Sequence, residues 1–261
     1  MWQISGNGLT DTSYLYGTMH VQDKRVFDFK PNVLPAFDSA EVLALELNMD
    51  SVNPLAVMGS MIMDSSIVIA DLLSPKDYQL VKSYIEDSLG IPMMLFSHLQ
   101  PLFISSFIQA KSLNSEMEEA LDLYFFRKAK EQNKRISGLE KVEEQIAAFN
   151  SIPYREQAVE LFKMISPEDN NEDEMSTEEL LDAYLSGNLD LLIDVAQGTS
   201  EEAKNDFEKT FLIDRNIVMV KRMEPLLKNH RVFIGVGAAH LPGEHGVIEL
   251  LRSKGYTVLA K

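Results

Sequence analysis

Two segments at opposite ends of the chain share one layout: an apolar run, then Gly-x-x-His. The first is SYLYGTMH, residues 13–20, with Gly17 and His20; the second is VFIGVGAAH, residues 232–240, with Gly237 and His240. A residue just beyond a strand is held rigidly and projects into the crevice at the carboxyl edge of a sheet. Imidazole there is the commonest metal ligand and the usual general base near neutral pH. Two such histidines and one carboxylate form a hydrolytic metal site with a position open for water. The carboxylate candidate is Glu46, in the apolar run EVLALEL, residues 41–47. A charge in such a run is either buried against a cation or turned to solvent by strand alternation, and both readings stand. Each histidine taken alone also fits a hydrogen-bonded residue at a strand end.

Other groups able to join this chemistry are Glu140, just past the short run KRISG, and Arg215 and Asn216 in mid-helix amid apolar residues. Glu140 is a candidate general base or orienting carboxylate, Arg215 a candidate for oxyanion stabilisation and Asn216 for binding substrate. Helix-packing salt bridges account for Arg215 and Asn216 equally well. The glycines Gly17 and Gly237 permit close approach of backbone or ligand. His245, in PGEHG, is a substrate-binding or helix-start residue, whereas His98 and His230 belong to no constellation.

The elements that must position these residues are short strands at both chain ends. WQIS and SYLYGTM flank the turn GNGLTDT and predict a hairpin. EVLALEL reads as a strand, KRISGLE as a short buried one, and RVFIGVG, EHGVIELLRSKG and YTVLA as a β-α-β ending. From about 54 to 228 the pattern is helical. Ser74, Pro75 and Gly90 bracket one helix with a stripe of Tyr78, Val81, Ile85 and Leu89. Ser115 and Glu118 form a capping box for another. Further helices are expected at about 140–150, 153–165, 176–186, 188–196 and 200–228, the last broken near Asp214. Residues 166–179 carry seven carboxylates without the spacing of an EF-hand and read as a solvated connector. The expected fold is α/β (α+β), one domain over 1–261. Its sheet is drawn from about 1–50, 134–140 and 230–261, with a large helical insertion as cleft wall or lid.

A net charge of −16 over 261 residues disfavours nucleic acid and anionic membranes as partners. The absence of cysteine excludes disulfides, thiol nucleophiles and thiolate-bound zinc. No apolar run is long enough to span a bilayer. GVGAAH fails the dinucleotide fingerprint because His240 occupies the third glycine's place, and no Walker loop, H-E-x-x-H or G-x-S-x-G is present.

YGTMH, ALELN, GLE, RN and VGAAHLPGEHG, in that order across nearly the whole chain, resemble the TraB/GumN family. This family includes the TIKI proteins of animals and bacterial pheromone-shutdown proteins. Its hallmark of two G-x-x-H motifs and a glutamate falls on Gly17–His20, Gly237–His240 and Glu46. The resemblance implies a metal-dependent peptidase with manganese or cobalt favoured and zinc admissible, acting on a peptide or protein substrate. Nothing here marks the Wnt signal that TIKI proteins trim. Family kinship with erythromycin-esterase-like proteins keeps a metal-independent ester hydrolase open, and a peptide-sequestering protein is the non-catalytic alternative. Bacterial members commonly carry a leader or anchor. The resemblance therefore implies an extracytoplasmic location, the leader removed, over a cytoplasmic one, although the start MWQISG shows no leader.

Overall fold

Alternation along the strand VFIGVG places Val232, Ile234 and Val236 on one face of a sheet and Phe233 on the other, all fully buried. Such two-sided burial marks a central strand covered on both faces. The computed structural model describes residues 1–112, 116–166, 177–188, 191–192 and 208–261. Its sheet contains β1 (Trp2–Gly6), β2 (Ser13–Thr18), β3 (Val42–Leu45), β4 (Arg135–Gly138), β5 (Val232–Gly237) and β6 (Tyr256–Ala260), ordered β4-β3-β5-β2-β1-β6. β1 and β2 form the expected antiparallel hairpin, and β6 pairs antiparallel with β1. β2, β3 and β4 run parallel with β5 or with one another, with Thr18 opposite Gly237 and Leu45 opposite Gly235 and Gly138. The sheet is thus assembled from both chain ends, and four strands finish on one edge.

The chain divides into two compact units. The first contains the sheet. One face packs on the helices Asp214–Asn229 and Val247–Ser253 through Met219, Val220, Met223, Leu227, Val247 and Leu251. The other packs on helices Val33–Ser39 and Leu121–Glu131, where Phe37, Phe125 and Phe233 meet at centroid distances of 5.1–5.4 Å. The second unit, Asn53–Ser112 with Val142–Glu174, is helical where described. It has its own core, including Ile69, Val81, Ile85, Ile104 and Leu161. There Ser74 caps the helix Pro75–Ser83, and Gly90 ends the following π turn's descent with φ of 68°. No helix among the described residues is long and apolar enough to cross a membrane.

Three local expectations change. The helix expected to start at a Ser115 capping box begins instead at Leu121, capped by Ala120 without a side-chain bond. Ser115 lies outside the described residues. Residues 116–120 are irregular because tertiary partners hold them: Met117 N–H donates to Gln22, Glu116 pairs with Lys24 and Glu119 with Arg127. β4 is a partly exposed edge strand rather than a buried one. Glu46 sits one residue beyond β3, not inside it. The acidic stretch 167–176, most of the helix expected at 188–196 and residues 200–207 fall outside the described residues.

Candidate functional site

The parallel register dictates the site. β2, β3, β4 and β5 end side by side, so residues one to three positions past them gather on one edge. These are His20 after β2, Glu46 after β3, Glu140 after β4 and His240 in the 3-10 turn Ala238–His240 after β5. Backbone pairing continues beyond the strands: Leu139 N–H donates to Leu45 and Glu140 N–H to Glu46, each at 2.8 Å. This holds the two glutamates alongside. Two glycines make the closeness possible. A Cβ on Gly237 would lie 3.1 Å from Glu46 Oε1, and one on Gly17 would lie 2.8 Å from Leu241 Cδ1 and 3.3 Å from Ala238 Cα. Gly17 and Gly237 therefore act by close approach, and Gly237 N–H also donates to Glu46 Oε1 at 2.6 Å.

Glu46 is anchored from a second side by Arg215, whose Nη2 reaches Oε2 at 2.9 Å. The same guanidinium makes a bidentate pair with Glu140, Nε to Oε1 at 2.8 Å and Nη2 to Oε2 at 2.6 Å. The Glu140 side chain is 1% exposed and that of Arg215 15%. Arg215 is delivered by the second position of helix Asp214–Asn229, directly after the π turn Glu208–Ile213, and its Nη1 bonds back to the Phe211 carbonyl. π turns recur at functional sites because they re-aim the residues that follow.

His240 is buried, and its Nδ1 meets Asn216 Oδ1 at 2.7 Å. Asn216 lies on the helix's apolar stripe with Met219, Val220, Met223 and Leu227, which explains its burial. Its Nδ2 donates to the His245 carbonyl at 2.9 Å, so Oδ1 faces the ring. The ring proton then sits on Nδ1 and the lone pair on Nε2. Nε2 lies 3.8 Å from Glu46 Oε1. Burial, and then the Arg215 charge, push His240 below the usual histidine range. Burial works against the charge on Glu46, but His240, His20, Arg215 and the Gly237 amide outweigh it and keep the carboxyl below its ordinary value.

His20 differs. Its side chain is 64% exposed, and its Nδ1 pairs with Asp122 Oδ2. Partial desolvation opposes the imidazolium, but the Asp122 bond and charge, with Glu46 behind, raise His20 to about 9. The mutual effects of His20, Glu46 and His240 put all three within electrostatic reach. Asp122 gave no signal in the sequence, because it flanks the apolar stripe of Leu121, Phe125 and Ala129, where an acid reads as solvated. The site also takes from His245 its carbonyl, not its exposed ring.

As a donor set, two imidazoles and a carboxylate suit a divalent ion, and the Glu46–His240 spacing suits two ligands sharing one. Two carboxylates, Glu46 and Glu140, face one guanidinium, a local excess of negative charge. His20 is engaged with Asp122, and among the described residues no three imidazole or carboxylate groups gather tightly enough to enclose an ion. The residues fit the ion in kind and excess charge, and two of the three fit it in spacing.

A parallel-edged α/β unit whose strand ends bring two imidazoles and two carboxylates to one edge is the architecture of an edge-of-sheet catalytic or binding centre. The chain belongs to the TraB/PrgY/gumN family, whose profile matches residues 1–260. It is 26% identical to the protein named metalloprotease TIKI1 of Danio rerio over 94% of this chain and 60% of that one. Identity to TIKI1 of Xenopus tropicalis is 26% over 95% and 59%, and to the TIKI homolog of Nematostella vectensis 23% over 95% and 64%. The chain thus spans about three-fifths of the length of these relatives. No solved structure matches it.

Proposed function

We propose that this protein is a divalent-metal-dependent hydrolase acting on peptide bonds, with manganese or cobalt as the preferred ion and zinc admissible. The observation that carries the reading is the pair of acceptors His240 Nε2, buried, and Glu46 Oε1, partly buried, 3.8 Å apart. Burial, with Arg215, lowers His240 against the opposing pull of Glu46, and a cation between the two acceptors would stabilise the arrangement. The relatives' name, metalloprotease, supports the same chemistry.

His20, Glu46 and His240 would hold the ion. When bound, such an ion supplies a hydroxide-like nucleophile at neutral pH and Lewis acidity toward a scissile carbonyl. Asn216 fixes the tautomer of His240, leaving Nε2 free to ligate. Arg215 and the Gly237 amide fix both oxygens of Glu46. Glu140, closed in its bidentate pair, serves as the orienter of Arg215 rather than as a general base. Arg215 in turn clamps two carboxylates, which leaves little of its guanidinium for an oxyanion.

The test is incubation of the protein with a diverse peptide library and manganese or cobalt, then with chelator, products being read by mass spectrometry. Metal-dependent cleavage is expected. Peptides retained uncut would select a sequestering protein, and hydrolysis that survives chelation would select metal-independent ester-hydrolase-like chemistry.

A further inference from the structure

Each Gly-x-x-His histidine is met at Nδ1 by a side-chain oxygen from the first turn of a helix. For His240 it is Asn216 Oδ1, from the third residue of Asp214–Asn229. For His20 it is Asp122 Oδ2, from the second residue of Leu121–Glu131. The helices that supply these oxygens share no motif around Asp122 and Asn216, yet both leave the same nitrogen, Nε2, available.

We propose that Asp122 is a positioning residue for His20, holding the ring by Nδ1 so that Nε2 is the nitrogen offered to a divalent ion. The proposal rests on the reading of His20 as a ligand in the metal-dependent hydrolase. A carboxylate on the far nitrogen of a ligating histidine fixes its orientation and raises the basicity of the other nitrogen. A helix-dipole role explains Asp122 poorly. That role asks only for an exposed acid in the first turn, whereas the Asp122 side chain is 19% exposed and its Oδ1 is buried with no hydrogen-bond partner among the described residues. Burying a carboxylate oxygen without a partner is unfavourable, and the His20 contact gives the arrangement a purpose. The two corners also differ in kind. A neutral amide, itself tied to a carbonyl, locks His240, while a charged carboxylate with one loose oxygen holds the exposed His20. The carboxylate would make His20 the more basic ligand.

The experiment uses the full chain with Asp122→Ala, Asp122→Asn and, as reference, His20→Ala. Binding of Mn²⁺ alone is followed by the loss of the free-ion electron spin resonance signal. Imidazole ¹⁵N spectra of the metal-free protein and melting temperatures are recorded in parallel. Asp122→Ala is expected to weaken Mn²⁺ binding about 10- to 100-fold and to move the His20 ring signals while those of His240 stay in place. Asp122→Asn, which keeps an acceptor oxygen, is expected to recover part of the affinity. Wild-type affinity in Asp122→Ala would overturn the proposal. So would equal losses in both Asp122 variants that track a fall in melting temperature, since that pattern is purely structural. If the wild type binds no Mn²⁺, Co²⁺ or Zn²⁺, the hydrolase reading fails on its own account. The hold on the ring is then decided by the metal-free spectra, where unchanged His20 signals in Asp122→Ala refute it.

Discussion

The two histidine corners start from the same motif and end in opposite conditions. His240 is buried, neutral-leaning and locked by Asn216. His20 is largely exposed, cation-leaning and held by Asp122. One corner is organised before any ligand arrives, and the other keeps a charge and solvent access that a ligand would have to displace. The difference follows from position. His240 lies in a 3-10 turn folded back against β2, beneath the helix carrying Asn216. His20 lies where the chain leaves the sheet, between β2 and the turn Lys24–Phe27.

The sharpest way to break this contrast is to remove each ring. His20→Ala and His240→Ala should each cut kcat/KM on a cleaved peptide about 10⁴-fold, near 5.4 kcal/mol at 1.36 kcal/mol per decade. His240→Ala should also lower the unfolding free energy, because it strands the buried Asn216 oxygen. Full activity in either variant would reject the shared centre. Next is the clamp behind Glu46. Arg215→Ala removes the guanidinium that Glu140 and Glu46 share and should cost about 3–5 kcal/mol in denaturant unfolding. A loss below about 1 kcal/mol would show that the pair is solvated.

Gly17 joins the two corners, since its missing Cβ is what lets Leu241 and Ala238 approach β2. Gly17→Ala should destabilise by about 1–3 kcal/mol through overpacking, read from the urea midpoint. The smallest effect concerns the turn after His20. Asp23 is 1% exposed and accepts from the backbone N–H, Nε and Nη2 of Arg25. The Arg25 bonds outweigh burial and hold its carboxyl below the ordinary value. Its stabilisation is therefore present above the unfolded carboxylate value, near pH 3.9, and is lost as pH falls through the lower folded value. Asp23→Asn should cost about 1 kcal/mol at neutral pH and flatten the acid limb of the stability curve. An unchanged acid limb would mean that the turn does not depend on that charge.

Much of this was legible in residue order. A strand followed by Gly-x-x-His at both chain ends, with a carboxylate after a third apolar run, defines an edge-of-sheet centre as soon as those strands are neighbours. Burial on both faces of RVFIGVG then makes β5 their common neighbour. Asn216 and Arg215 were visible as polar residues within an apolar helical stripe. Asp122 was not, because Leu121, Phe125 and Ala129 carry the stripe of its helix and leave it on a flank that reads as solvated. The capping box at Ser115 was outweighed by tertiary partners of residues 116–119. The carbonyl of His245 could not have been foreseen, since backbone groups carry no signature in side-chain identity.

The account stands on one cavity in which His20, Glu46 and His240 share an ion. Anomalous scattering from a crystal soaked in Mn²⁺ tests it directly. The prediction is one peak about 2.0–2.2 Å from a Glu46 oxygen and from Nε2 of both histidines, bond lengths like those of other carboxylate and imidazole sites. A peak lying elsewhere, or none at this edge of the sheet while the protein cleaves peptide, would contradict it.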